Sequence, residues 1–144
     1  MSSTFKYRLR GSCSPGGSAL AADLTVERRL PGAGAGGGLQ IYRNVSLALP
    51  SGINWRDAAW LAFGLSVHSA DLSSAHPDGL LVEVTALTFP LAHYRSEVAV
   101  LAMDAWLRDE FALPDRGLRA VLDDETGAWG FQWGGHPDPF SDGL

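Results

Sequence analysis

Phe5, Tyr7 and Leu9 alternate with Lys6, Arg8 and Arg10, the period of two expected of a strand with one face on a core and the other in water. Gly11 to Gly17 interrupts the alternation with turn chemistry, and Leu20, Ala22, Leu24 and Val26 resume it with Asp23, Thr25 and Glu27 facing away. The two segments predict a hairpin. Pro31 to Gly38 holds five glycines in eight residues and predicts a flexible loop, because glycine loses more backbone entropy on ordering than any other residue. Leu39, Ile41, Val45 and Leu47 then lie on one face of a third strand, interrupted at Arg43 and closed by Pro50-Ser51-Gly52.

The period changes after Asn54, a residue suited to capping a helix, with Asp57 matched to the positive end of the helix dipole. Ala58, Leu61, Ala62, Leu65 and Ala70 predict an amphipathic helix from about Trp55 to Ala70, and Asp71 to Gly79 reads as a polar loop. Leu80 to Phe89 is the most uniformly apolar run, with Glu83 its single charge, which predicts a central strand ended by Pro90. Ser96 is placed to cap a second helix running to about Phe111, striped by Val98, Leu101, Ala102 and Ala105, and Pro114 stops it. Leu118 to Leu122 and Ala128 to Trp133 predict a final hairpin across Asp123 to Gly127, with a frayed tail over 134–144.

The elements run βββαβαββ and predict an α+β fold, a two-layer structure in which a mostly antiparallel sheet is covered by two helices. The length of 144 residues and the 46% hydrophobic content fit a single domain with a packed core. Cys13 is the only cysteine, so no intramolecular disulfide is expected, and no two of His68, His76, His93 and His136 have helical i, i+4 spacing. We therefore expect neither a metal site nor a cofactor. The first ten residues lack the apolar run of a signal peptide, and no stretch approaches the ~20 apolar residues of a membrane span. A cytoplasmic protein is expected. The net charge of −5 and the scattered basic residues argue against direct nucleic-acid binding, which draws its affinity from concentrated positive charge.

The densest polar chemistry lies between Pro90 and Glu97, where the central strand hands over to the second helix. His93 there suits a general acid or base, Tyr94 a hydrogen-bond donor and Arg95 an anion clamp. The plainer account makes the segment a capped helix start. Glu83 is a candidate acid near His68 if its strand position faces the helices, and otherwise points to the solvent side or meets a lysine or arginine on a neighbouring strand. His68 itself reads as a hydrogen-bonded core or helix-end residue. Trp129, Phe131 and Trp133 alternate and so project from one face of the last strand, either as an aromatic wall for an apolar ligand or a partner surface or as a lid on the core.

The run of three strands, helix, strand and helix from about Ser18 to Pro114 resembles the ribosomal protein S5 domain 2-like fold, which includes domain IV of translation elongation factor G. The nearest local likeness spans Leu80 to Leu107, a strand, a turn carrying His93, and Ser96-Glu97-Val98-Ala99 opening an alanine-rich helix. The resemblance implies an architecture and draws attention to His93; it implies no activity, since one fold serves many functions.

Without a Gly-x-Ser-x-Gly or His-Glu-x-x-His motif, the sequence points first to a non-catalytic binding or protein-interaction module. Its partner is another protein or a second copy of the chain, engaged through the aromatic last strand or the His93 turn. The rival is a small cofactor-free enzyme, an isomerase, cyclase or dehydratase. It would act on an apolar metabolite with His93, Tyr94, Arg95 and Glu83 as its chemical groups.

Overall fold

A computed structural model describes residues 3–10, 19–31, 38–91 and 94–140. Its elements are β1 (Ser3–Arg10), β2 (Ala19–Arg29), β3 (Leu39–Tyr42), β4 (Val45–Ala48), α1 (Trp55–Ala75), β5 (Leu80–Thr88), α2 (Val98–Phe111), β6 (Leu118–Leu122) and β7 (Trp129–Trp133). Five strands form one sheet in the order β1-β2-β5-β4-β3, antiparallel except for the β4–β5 pair that α1 connects. The α+β class, the mostly antiparallel sheet, the helical cover and the central place of β5 agree with the sequence pattern. Among the described residues no helix is long and apolar enough to cross a membrane.

The core lies between the sheet and both helices. Ala22, Leu24 and Val26 of β2, Val45 and Leu47 of β4, and Val82 and Val84 of β5 are buried with Leu61, Leu65, Met103 and Leu107 of the helices. Each large side chain so removed from water contributes roughly 1.5–3 kcal/mol before entropy is counted. The opposite face of the sheet meets water and carries charge, including Arg8 paired with Asp23 at 2.8 Å and Arg29 with Glu83 at 2.8 Å. Exposed pairs of this kind contribute no more than about 1 kcal/mol. They keep the outer face polar.

Four elements differ from expectation. The third strand is a hairpin of two, β3 and β4, folded at Arg43 and Asn44 with Tyr42 opposite Val45. Arg43 takes a left-handed φ of 50°, and its carbonyl accepts from Gln40 Nε2 at 2.9 Å. Tyr42 opposite Val45 would reverse the parity, but a register shift between Gln40 and Tyr42 brings Leu39 opposite Leu47, so 39, 45 and 47 share a face and alternation alone does not distinguish the two folds.

Helix α1 runs to Ala75, one turn beyond the expected Ala70. Leu72 is fully buried, and Ser73 Oγ donates to Asn44 Oδ1 at 2.6 Å, so the polar stretch is a docked helical turn. It stops at His76 because a residue before proline is pushed out of the α region.

Ser96 does not cap α2. Glu97 holds the cap position in helical geometry with no side-chain cap bond, and the first amides of the helix are satisfied by the carbonyls of Arg95, Ser96 and Glu97 at 2.8–3.1 Å. A tight turn thus leads directly into the helix.

Strands β6 and β7 form a separate two-stranded ribbon, with Leu118 opposite Trp133 and Leu122 opposite Trp129. The segment after it, expected to fray, turns at Gly134 and Gly135 and lays Phe140 on α1, where its ring meets Trp60 at 5.0 Å and Trp55 at 5.6 Å. Stacking area supplies what a polar, proline-bearing tail lacks in regular hydrogen bonds. Residues 32–37 of the glycine loop and 141–144 of the tail lie outside the described residues.

Candidate functional site

The ends of β4 and β5 and the starts of α1 and α2 meet at one end of the molecule, because α1 links two parallel strands. Side chains on the connecting turns collect there. Asn54 holds the first turn of α1, its Oδ1 accepting from Arg56 N at 2.8 Å. The cap fixes where Arg56, Asp57 and Trp60 project.

Tyr94 and Arg95, neighbours in the turn before α2, face different partners. The Tyr94 ring stacks on Phe89 with centroids 3.6 Å apart and planes 8° from parallel, and its hydroxyl donates to Asp57 Oδ1 at 2.7 Å. Burial, followed by the bond to Asp57 and its negative charge, pushes the Tyr94 hydroxyl far above the usual phenol range. Asp57 also lines an open cavity of about 400 Å³ with Ile53, Thr85, Leu87 and Phe89.

The Arg95 guanidinium lies on the other side of the turn, 4.9 Å over the Phe131 ring. Its Nη1 donates to the Trp129 carbonyl at 2.8 Å and its Nη2 to Glu97 Oε2 at 2.9 Å. One arginine thereby joins the start of α2 to the final ribbon. The carboxylate that Arg95 engages is internal, that of Glu97, with about half of the arginine side chain still in water.

Trp129, Phe131 and Trp133 share one face of β7, as their alternation predicts, and each is half-buried. Phe131 and Trp133 lie parallel at 5.7 Å, and Trp133 continues onto Trp60 at 5.3 Å and Phe63 at 5.6 Å on α1. The wall and lid accounts thus describe the same strand, because the rings cover α1 with one part and line an open cleft of about 490 Å³ with the other. Arg56, Arg95, Glu97, Asp138 and Phe140 complete that cleft. Arg56 stands 5.0 Å from the Trp55 ring and 5.1 Å from Phe140, and among the described residues its guanidinium has no carboxylate partner. The Trp129 indole N–H is covered and has no acceptor among the described residues, a cost of about 1–3 kcal/mol carried in the cleft wall.

Glu83 stands apart from this end, on the outer face of the sheet, bonded to Arg29 Nη1 at 2.8 Å. Strand alternation sends it away from His68, in keeping with the plainer account. Tyr94, Arg95 and Glu83 therefore do not line one cavity. His93 lies outside the described residues. His68 is fully buried between the helices, with Nε2 2.6 Å from Asp104 Oδ1, while Arg108 Nε and Nη2 reach Asp104 Oδ2 at 3.1 and 3.0 Å.

The sequence pattern passed over Asp57, Arg56, Asp104 and Phe140 as site or network residues. Asp104 had a signal, since it is an acid inside the apolar stripe of α2 with Arg108 one turn later. Phe140 had a weaker one, a lone aromatic after Pro-Asp-Pro. Arg56 and Asp57 had none beyond their places in the first helical turn. No protein-family model, curated protein or solved structure matches the chain.

Proposed function

We propose that the chain is a non-catalytic binding module that engages another protein at the cleft between β7 and the first turns of α1 and α2. The observation that carries this reading is Arg95, held over Phe131 and bonded to Trp129 while about half of its side chain remains exposed beside an open aromatic cleft. Tryptophan, phenylalanine and arginine offer large contact area, and here stacking has already fixed their rotamers. A surface ordered in advance loses less entropy when a partner arrives.

The reading includes a cytoplasmic setting and kinship with the ribosomal protein S5 domain 2-like fold. Its support is the succession of strands, helix, strand and helix within Ala19–Phe111. No activity is carried over from that kinship.

The test is capture from an extract of the source cells by the immobilised full-length chain. Retention of a partner should be lost for Phe131→Ser and for Arg95→Ala, yet kept for Lys6→Ala on the exposed face of β1. Retention indifferent to both cleft substitutions would overturn the proposal.

A second reading, the small cofactor-free enzyme acting on an apolar metabolite, draws on the Asp57–Tyr94 bond beside the other cavity. A buried carboxylate and hydroxyl in contact can share a proton with a substrate. Neither Glu83 nor Arg95 faces that cavity to orient one, which is why binding is preferred. Turnover of any small molecule that is abolished by Asp57→Asn would reverse the preference.

A further inference from the structure

The aromatic face of α1 that borders the cleft already carries a peptide of definite chemistry, the chain's own segment from His136 to Phe140. Phe140 meets Trp60 and Trp55, Asp138 and Phe140 line the cleft with Arg56, and Pro137 and Pro139 line a neighbouring cavity with Ala62 and Phe63 of α1. The hydrogen bonds of the strap are local ones, His136 N to the Trp133 carbonyl at 3.1 Å and Phe140 N to Asp138 Oδ1 at 2.8 Å. Among the described residues, ring contacts and the Arg56 guanidinium 5.1 Å over Phe140 fasten it to α1, and Gly134 and Gly135, with φ of 63° and 83°, carry the turn by which it leaves β7.

We infer that this strap is a displaceable internal cover of α1 and that the module's partner presents an extended, proline-containing segment with an acidic residue followed two positions later by an aromatic one. The inference rests on the binding reading above. Three features support it. Proline-rich segments are pre-extended and suit aromatic-lined grooves, since they lose little entropy on docking. Arg56, without a carboxylate partner among the described residues, offers charge complementarity to an acidic residue of the incoming segment. Phe140 remains 37% exposed on its platform, so a competing ring has an edge at which to enter.

The strap competes with its replacement as a tethered ligand at high effective concentration. A groove that is free one-tenth of the time binds about tenfold more weakly than one that is always free.

The experiment titrates a synthetic Gly-His-Pro-Asp-Pro-Phe peptide into the full-length chain, followed by tryptophan fluorescence. Phe140→Ala should bind the peptide about tenfold more tightly than the unaltered chain, and Pro139→Ala should shift affinity in the same direction. Adding Arg56→Ala to Phe140→Ala should remove the gain. Circular dichroism establishes that each variant is folded, and Pro139→Ala carries the test alone should Phe140→Ala not fold.

Equal affinity of the unaltered and strap-weakened chains would overturn the strap inference while leaving the cleft a binding site. No binding by either would overturn the proposed partner chemistry, whereas Phe131-dependent capture would still stand for the binding reading. Binding indifferent to Arg56 would overturn the charge complementarity.

Discussion

His68 Nε2 lies 2.6 Å from Asp104 Oδ1, and this contact joins the two helices inside the core. Both residues are almost completely buried, and Arg108 reaches the second carboxylate oxygen from the next turn of α2. His68 Nδ1 has no partner among the described residues, so the geometry fits a ring whose hydrogen is on Nε2 and donates to Asp104. A bare acceptor costs less there than a bare N–H would.

Removing the acceptor exposes the value of that arrangement. Asp104→Ala leaves an imidazole with no hydrogen-bond partner at either nitrogen, and we expect a loss of about 2–3 kcal/mol. Urea unfolding should show a lower midpoint at unchanged slope. A loss below about 0.5 kcal/mol would mean that the bond contributes little beyond packing.

Alkaline pH should loosen the fold through two tyrosines. Burial, reinforced by the negative charge of Asp104, pushes the Tyr7 hydroxyl up to about 12, and Tyr94 is shifted in the same direction. In the unfolded chain both ionise near 10, so above that pH the unfolded state holds fewer protons than the folded one. The contribution is complete below pH 10 and is lost as pH rises through the folded values. Thermal melts should decline from pH 10 toward 12. The decline should be shallower in Tyr7→Phe and Tyr94→Phe.

Ala112 ends α2 at φ 53° and ψ 46°, a conformation that glycine adopts without the clash of a Cβ. Ala112→Gly should therefore raise stability by about 0.5–1 kcal/mol, read as a higher urea midpoint. A lower midpoint would show that the methyl group packs more than it strains.

Gly134 tolerates no side chain. A Cβ there would stand 2.0 Å from the Arg116 carbonyl oxygen, and its φ of 63° is unfavourable for other residues. Gly134→Ala should displace the strap from α1, which is read as greater acrylamide quenching of tryptophan fluorescence because Phe140 no longer covers Trp60 and Trp55. Unchanged quenching would show that the strap docks independently of this turn.

The sequence made the sheet and both helices legible because β2 and β5 bury one complete alternating face and α1 and α2 bury a continuous stripe. Reversal at Arg43 was invisible to alternation, since the register shift between Gln40 and Tyr42 offsets the change of parity that a two-residue turn brings. The extra turn of α1 was hidden by polar residues whose partners, Asn44 for Ser73, come from a distant hairpin. At the site, local pattern sufficed for the shared face of Trp129, Phe131 and Trp133. It did not suffice for Arg95, whose direction depends on a carbonyl of Trp129, 34 residues away. Tertiary contacts likewise decided the fate of Phe140, because its platform is made by side chains of α1.

Hydrogen–deuterium exchange of the full-length chain, alone and bound to the partner it retains, tests the cleft assignment most directly. Amides of β6, β7 and the turn 94–97 should become protected, while β1 and the outer face of β2 should be unchanged. Protection confined to β1 and β2, with β7 exchanging as it does in the free chain, would contradict it.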